Sequence, residues 1–117
     1  MAVTRLNPGP RMSQAVIHGD TVFLSGQVAF DAPGESVAAQ TTNVLSRIDA
    51  LLAEAGTSKA NLLSATIWIS DISTFNEMNE VWDAWVDKDA APTRACVESK
   101  LASPKFVVEI AVTASVG

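Results

Sequence analysis

Two charged side chains interrupt strand-like stretches near the end of the chain. Arg94 opens the stretch "RACVESKL", and Glu109 stands inside the apolar run "VVEIAV" at 107–112. A carboxylate in the middle of a buried strand is costly unless it is paired or put to use. The residues alone leave both readings open. Glu109 can form a salt bridge with Arg94 or with a lysine of a neighbour, or it can belong to a site, where pairing and function coexist.

Other residue types that carry out chemistry are scarce. His18 is the only histidine, and it precedes Gly19-Asp20, a dipeptide typical of a tight hairpin turn, so we predict a solvated turn residue and not a base. Cys96 is the only cysteine, which excludes an internal disulfide and a thiolate cluster. Because no base is available to lower its pKa, Cys96 is predicted to be a small packed group and not a nucleophile. No cluster of ligating residues has metal-binding spacing.

The composition indicates one folded domain, 1–117, with an acidic surface. The chain is 48% hydrophobic and carries a net charge of −5, with no run of lysine or arginine. That balance argues against nucleic acid and against an anionic membrane surface, since both are bound through clustered basic residues. The first ten residues lack a signal-peptide pattern, and no apolar run reaches the roughly 20 residues that a membrane span needs. We therefore expect a soluble, cytoplasmic protein.

The first half of the chain predicts a hairpin followed by a helix. Ser13–Ile17 and Thr21–Val28 alternate and are rich in β-branched and aromatic residues, as in paired strands. After the loop "DAPGES", apolar residues recur at helical spacing over Val37–Ala55. Ser36 is predicted to be the N-cap of this helix, and Gly56 the residue that follows its C-cap.

The second half predicts one more strand, a second helix and two closing strands. Leu62–Ser70 is rich enough in β-branched residues to form a strand. Thr74–Glu77 fits a capping box at the start of the second helix, whose apolar face carries Trp82 and Trp85 as predicted core residues. The closing strands are predicted at about Thr93–Leu101 and Phe106–Val116.

The resulting order, β-β-α-β-α-β-β, predicts an α+β fold with two helices on one face of a mixed sheet. The last strand is apolar on both of its faces, with Val108, Ile110 and Val112 on one side and Val107 and Ala111 on the other. Two helices cover only one face of the sheet. An uncovered apolar face marks an interaction surface, so the pattern predicts an oligomer.

Three segments resemble one known family. The stretch "PTRACVESKLASPKFVVEI" is similar to the signature of the RidA (YjgF) family of enamine/imine deaminases, "VFLSGQV" to its early Ser-Gly-Gln strand, and "TTNVLSRIDALLAEAG" to its first helix. The tract "NEVWDAWVDKDAAPTRACV" most resembles the short YoaB-like branch. The resemblance covers nearly the whole chain in order. It implies a chorismate-mutase-like fold, homotrimers with sites in clefts between subunits, no cofactor, and hydrolysis of 2-imino or enamino acids to 2-keto acids and ammonia.

The resemblance also implies roles for five residues. Arg94 matches the arginine that holds the substrate carboxylate, a contact that its planar fork suits. Glu109 matches the glutamate that positions or deprotonates the attacking water. Ser25 and Cys96 match residues that line the pocket, the latter at least partly through backbone groups. Met12 stands where many members have a tyrosine, and the chain contains no tyrosine. An apolar thioether at that place implies a bulkier or less polar substrate.

One alternative belongs to a different class of protein. The same cleft can serve a ligand-binding or regulatory trimer that holds a small carboxylate without turning it over. Family members that lack the arginine are suspected of other roles, and this chain keeps Arg94, which favours the enzyme. A nucleic-acid-directed activity is disfavoured by the acidic balance of charges.

Overall fold

The computed structural model describes residues 2–116, which form seven strands and two α-helices. Short 3-10 turns at Lys59–Asn61 and Ile72–Thr74 precede β5 and α2. The elements are β1 (Val3–Pro8), β2 (Ser13–His18), β3 (Thr21–Leu24), β4 (Gln27–Val28), α1 (Val37–Glu54), β5 (Leu62–Ile69), α2 (Phe75–Trp85), β6 (Thr93–Glu98) and β7 (Val108–Ser115).

All strands belong to one mixed sheet with the order β1-β2-β3-β7-β5-β6, and β4 continues beyond β3 along β7. Neighbouring strands are antiparallel except β5 and β6, which are parallel and joined through α2. A parallel pair needs such a crossover, and a helix is its usual form. The predicted α+β architecture, a mixed sheet with two helices, is confirmed.

Alternation along β7 separates a covered face of the sheet from an open one. Val108, Ile110, Val112 and Ala114 are buried in the core, while the residues between them are only half-buried. We call the face opposite the helices the open face. It is partly apolar, because Phe23 of β3 and Val97 of β6 are 49% and 46% exposed there. The predicted uncovered face is therefore present. No helix within 2–116 has the length and apolar character needed to cross a bilayer.

Both ends of α1 lie where the sequence predicted them. The hydroxyl oxygen of Ser36 accepts a hydrogen bond from the amide of Ala39 at 3.2 Å, as an N-cap does. Gly56 follows the C-cap with φ of +85°, a left-handed conformation that glycine adopts at little cost. Both predicted boundary residues of α1 are confirmed.

The capping box predicted at Thr74–Glu77 is wrong. Thr74 makes no capping hydrogen bond, and its hydroxyl donates to the carbonyl of Asp71 at 2.6 Å. Asp71 has already started the turn, because its carboxylate accepts from the hydroxyl of Ser73 at 2.7 Å and from the amide of Ser73 at 2.9 Å. These two hydrogen bonds hold the pKa of the Asp71 carboxyl below its usual range. Glu77 instead accepts from the amide of Ala38 at 2.9 Å and so joins α2 to the first turn of α1.

Several strand boundaries also differ from the prediction. The sequence did not predict β1, because this edge strand is exposed at every position except Leu6 and shows no apolar alternation. The closing strands are shorter than predicted, since β6 ends at Glu98 and β7 begins at Val108. The predicted strand Thr21–Val28 is divided into β3 and β4 by Ser25 and Gly26.

Gln40 of α1 holds the loop that leads into β7. Its side chain is fully buried, and its amide nitrogen donates to the carbonyls of Lys105 at 2.8 Å and Glu35 at 3.2 Å. Its amide oxygen accepts from the backbone N–H of Val107 at 2.9 Å. One side chain thereby pairs two backbone groups just before the strand that carries Glu109 and one just before α1.

We expect Gln40→Leu to lower the free energy of unfolding by about 2–4 kcal/mol, since it removes the side-chain partner of the Val107 amide and of the Glu35 carbonyl and leaves the Lys105 carbonyl with only the Gly34 amide. Urea unfolding at one fixed protein concentration measures the loss. Thr42→Ala is the control on the same helix, because the exposed Thr42 hydroxyl bonds only to the carbonyl of Ala38, and it should cost about 0.5 kcal/mol or less. A Gln40→Leu protein as stable as the control would contradict this role.

Candidate functional site

Glu109 lies half-buried on the open face of β7 without an ionic partner. It stands directly opposite Val28 of β4 and Trp68 of β5, which are both apolar neighbours. Within residues 2–116 its carboxylate makes no hydrogen bond or ion pair. The structural reading, in which Glu109 pairs with Arg94, is therefore not realised within one chain.

A β-bulge brings the chain close to Glu109. Phe23 pairs with Thr113 and Gln27 pairs with Ile110, so the path from β3 to β4 contains one residue more than the facing part of β7. The extra residue lies at Ser25–Gly26, within the Ser-Gly-Gln motif. Bulges of this kind bend a strand and redirect its side chains, and they are common beside active sites.

Gly26 leaves the space that the Glu109 side chain occupies. A Cβ atom at this position would collide with Oε2 of Glu109 and would lie 3.0 Å from its Cδ. The glycine is therefore needed for close approach and not for a special φ angle. Sequence reasoning did not single out Gly26, although its place between Ser25 and Gln27 in the motif was a signal that could have found it.

Ser25 fastens the bulge to β2. Its hydroxyl donates to the carbonyl of Ser13 at 2.6 Å, and its backbone N–H donates to the carbonyl of Gln14 at 2.9 Å. The hydroxyl proton is thus engaged, which leaves the oxygen as an acceptor. Met12 directly precedes Ser13 and is 46% exposed at the turn between β1 and β2. The structure therefore places the Met12 segment beside Ser25.

Gln27 anchors the bulge from the covered side of the sheet. It is 1% exposed, and its amide nitrogen donates to the side-chain oxygen of Gln14 at 2.9 Å and to the carbonyl of Ser25 at 3.1 Å. Its amide oxygen accepts from Nε of Arg47 on α1 at 3.3 Å. The third residue of the Ser-Gly-Gln motif thus holds the other two in place, a positioning role that sequence reasoning did not assign.

Arg94 lies near the start of β6, an edge strand, on the side of the helices. Its register partner in parallel β5 is Ala65, which is buried beneath the helices. Nη1 donates to Oδ1 of Asn79 at 2.8 Å, and the guanidinium carbon lies 5.7 Å from the ring centre of Phe75 and 5.4 Å from that of Trp82. The other N–H groups of Arg94 have no hydrogen-bond acceptor within 2–116. They are open to a ligand.

Asn79 is a site residue that sequence reasoning missed. It is half-buried on α2, four residues after Phe75 and three before Trp82, so it belongs to the stripe that faces Arg94. A polar residue within an otherwise apolar helical stripe was the available signal. Trp82 is 4% exposed, which confirms the prediction of a core residue, and its contact with a cation is an additional role.

Cys96 follows Arg94 by two residues on β6 and is half-buried on the same side. Burial raises the pKa of its thiol above the ordinary value, and the positive charge of Arg94 opposes that shift. A thiol of raised pKa stays neutral near pH 7, so Cys96 is unsuited to act as a nucleophile. This agrees with the prediction of a small packed group.

The site residues fall into two groups that one chain keeps apart. The acidic half-site consists of Ser25, Gly26 and Glu109 on the open face; the basic half-site consists of Asn79 and Arg94, with Cys96 beside them, on the face of the helices. The two half-sites therefore lie on opposite faces of the sheet within one chain.

Two other site predictions concern histidine and metal. His18 is exposed at the end of β2, in contact with the turn at Gly19, as predicted for a solvated residue. The described part of the chain contains no group of three histidine, cysteine, aspartate or glutamate side chains arranged to hold a metal ion.

The fold and the two half-sites define the class of protein. Residues 3–116 match the family described as endoribonuclease L-PSP, and the chain belongs to this family, which includes the YjgF, RidA and RutC proteins. The recognition made from the sequence motifs is confirmed. So is the relation of the fold to chorismate-mutase-like structures.

Particular relatives match along their whole length. The chain is 39% identical to the RutC family protein YoaB of Escherichia coli, over 99% of this chain and 100% of that protein. It is 39% identical to a RutC family protein of Haemophilus influenzae, over 98% and 99%. A crystal structure of a YjgF family member from Neisseria meningitidis superposes with a TM-score of 0.94 at 46% identity, covering 98% and 95% of the two chains.

The raised pKa of Cys96 leads to a prediction about its alkylation by iodoacetamide. Because only the thiolate reacts, the rate in the folded protein should reach its half-maximum at a higher pH than in urea-unfolded protein. In Arg94→Gln, which removes the charge at similar size, the half-maximum should move to still higher pH. Stopped reactions analysed by mass spectrometry give the profile. A folded half-maximum at or below the unfolded one would show that burial does not control this thiol.

Proposed function

We propose that this protein hydrolyses 2-imino acids and their enamine tautomers to 2-keto acids and ammonia. The proposed site joins the basic half-site of one copy to the acidic half-site of another. One observation carries the proposal: the Glu109 carboxylate and the outer N–H groups of Arg94 have no partner among residues 2–116 of their own chain. Both groups are therefore available to a ligand or to another copy of the chain.

In the proposed reaction Arg94 holds the substrate carboxylate through two parallel hydrogen bonds. The imine carbon is already electrophilic, so the protein needs no nucleophile of its own. Glu109 orients a water molecule, accepts one of its protons as the new C–O bond forms, and returns that proton to the nitrogen. Glu109 next takes the proton of the carbinol hydroxyl and passes it to the nitrogen as the C–N bond breaks, so that ammonia leaves and the carbinol oxygen becomes the carbonyl of the 2-keto acid. Holding substrate and water together supplies most of the rate acceleration.

The other predicted site residues have secondary roles in this proposal. Ser25 lines the pocket as a hydrogen-bond acceptor, because its proton is engaged by Ser13. Cys96 lines it as a neutral group whose backbone belongs to the edge strand. Met12 adds an apolar surface beside Ser25, which favours substrates with apolar side chains. No cofactor takes part in the proposed reaction.

The open face supports the assembly that this site requires. Its apolar residues would be covered by other copies of the chain, and cyclic symmetry would repeat the joined half-sites at each contact. We expect a homotrimer, with a light-scattering mass of about three times the chain mass of 12.3 kDa. A monomer at micromolar concentration would remove the joined site.

The alternatives use the same surfaces differently. A binding or regulatory trimer would hold small carboxylates on Arg94 without turnover, and assays of binding and of ammonia release separate the two functions. The family description names an endoribonuclease. A net charge of −5 without clustered basic residues speaks against binding an RNA backbone.

We expect Arg94→Ala to lower kcat/KM for freshly generated 2-imino acids by about 30- to 1000-fold, because a charge-assisted bidentate contact is lost. Glu109→Gln keeps the shape of the side chain but removes the base, so it should lower kcat and leave the binding of an inert 2-keto acid nearly unchanged. Ammonia release above the buffer-only rate is the measurement.

Both variants must first show the mass and thermal unfolding of the wild-type assembly. Glu98→Gln is the matched control, because Glu98 is an exposed carboxylate on the same sheet, bonded only to the amide of Ile72. It should retain wild-type kcat. Imino acid hydrolysis at the wild-type rate by correctly assembled Arg94→Ala would refute the enzyme proposal.

Mixing the two inactive variants tests whether the half-sites come from different chains. In a trimer with both variants, one contact pairs an intact Arg94 from one subunit with an intact Glu109 from the next. Random reassembly of equal amounts should therefore restore about a quarter of the wild-type sites. The measurement is activity after joint unfolding and refolding, with each variant refolded alone as the control. No recovery in verified mixed trimers would place Arg94 and Glu109 in the same subunit's site.

A further inference from the structure

We propose that Phe75 and Trp82 are positioning residues for Arg94, whose ring faces hold the guanidinium ready for the substrate carboxylate. This inference rests on the proposed function, because it assigns a purpose to the orientation of Arg94. It concerns affinity for the substrate carboxylate and not the chemical step. Neither ring needs to touch the substrate for this role.

The three side chains that surround Arg94 come from one stripe of α2. Phe75, Asn79 and Trp82 are spaced by four and three residues, so they project from the same side of the helix. In the parallel register of β5 and β6, Arg94 stands level with Ala65, a small residue buried on the face of the helices. This register puts the Arg94 side chain on the same side of the sheet as α2.

The aromatic contacts and the hydrogen bond constrain different motions. An exposed arginine on an edge strand is long and flexible, and it samples many rotamers when nothing holds it. The ring faces, with centres 5.7 Å and 5.4 Å from the guanidinium carbon, attract the cation and limit its tilt. The 2.8 Å hydrogen bond from Nη1 to Oδ1 of Asn79 fixes how the guanidinium group is turned within its own plane. Together they leave the remaining donors in one orientation.

The Trp82 ring belongs to the core and is 4% exposed. Trp85 packs beside it, with ring centres 5.3 Å apart, and the indole nitrogen of Trp85 donates to Oδ2 of Asp49 on α1 at 3.0 Å. Holding Arg94 against the ring of a core residue strengthens binding because less freedom is lost when the ligand arrives.

Trp82 also belongs to the core, so an experiment must separate packing from positioning. Trp82→Leu removes the ring face, and Trp82→Phe keeps an aromatic face at this place. Phe75→Leu gives a second test at a half-buried position, where the apolar bulk is kept. Trp85→Leu is the matched control: it removes a neighbouring half-buried indole from α2 that packs on Trp82 without touching Arg94.

The measurements are the Kd of an inert 2-keto acid, KM and kcat for a 2-imino acid, and thermal unfolding. We expect Trp82→Leu to raise Kd and KM about five- to ten-fold and Phe75→Leu about two- to five-fold. We expect kcat to stay within about two-fold of wild type in both, because the reacting atoms face Glu109. Trp82→Phe and Trp85→Leu should keep KM within about two-fold.

The outcomes separate this inference from the proposed function. Unchanged 2-keto acid affinity in folded Trp82→Leu and Phe75→Leu would overturn the positioning role even when the wild type is active. So would equal losses in Trp82→Leu and Trp85→Leu, which would indicate packing alone. If Trp82→Leu does not assemble, Phe75→Leu decides. Ring-dependent affinity in a wild type without turnover would support positioning and refute the enzyme, and a wild type that binds no 2-keto acid would refute both.

Discussion

The placement of the candidate site depends on the alternation of side chains across one sheet. β7 pairs with β3, β4 and β5. The alternation of its side chains therefore also decides whether each paired residue on those strands lies on the covered or the open face. Glu109 falls on the open face because the residues on either side of it, Val108 and Ile110, are fully buried under the helices. A shift of the strand by a single residue would exchange the two faces and put the carboxylate into the core. Burying it there without a partner would cost several kcal/mol or more.

The same alternation accounts for the separation of the two charges. The parallel register of β5 and β6 places Arg94 level with the buried Ala65, on the side opposite Glu109. An intrachain salt bridge would satisfy both groups and leave nothing to bind a substrate. Their separation keeps both available, and in the proposed trimer the association of copies would bring these opposite charges together. The open apolar face would supply a driving force for that association.

Buried amide side chains keep the acidic half-site in place. Gln27 bonds the bulge to β2 and to α1, and Gln40 pairs the backbone that leads into β7. Both are almost fully buried, and no buried polar side-chain atom in the described residues lacks a partner. Such satisfied networks specify one arrangement of the backbone. The Glu109 side chain can then pack against the backbone of Gly26, because the bulge that contains Gly26 and the strand that carries Glu109 are each held by their own hydrogen bonds.

Much of this arrangement was available from the sequence, because it depends on local patterns. The periodicity of α1, its ends at Ser36 and Gly56, and the strand character of the last segment predicted the α+β fold. The motifs around Arg94 and Glu109 identified the family, and the unusual position of Glu109 predicted a site residue of the proposed function. The exposed edge strand β1 and the true start of α2 escaped prediction, since the first has no apolar alternation and Asp71 begins the turn before Thr74.

The tertiary structure alone decided how the charges relate to each other and what surrounds them. Which face a residue occupies depends on the register between strands that are distant in sequence, such as β5 and β7, and on the bulge at Ser25–Gly26. Local patterns do not encode that register. The contacts of Arg94 with Asn79, Phe75 and Trp82 likewise arise from the packing of α2 against a sheet edge. The sequence by itself therefore determined the class of fold and predicted which residues carry the proposed chemistry, while long-range pairing decided on which surface each of them lies.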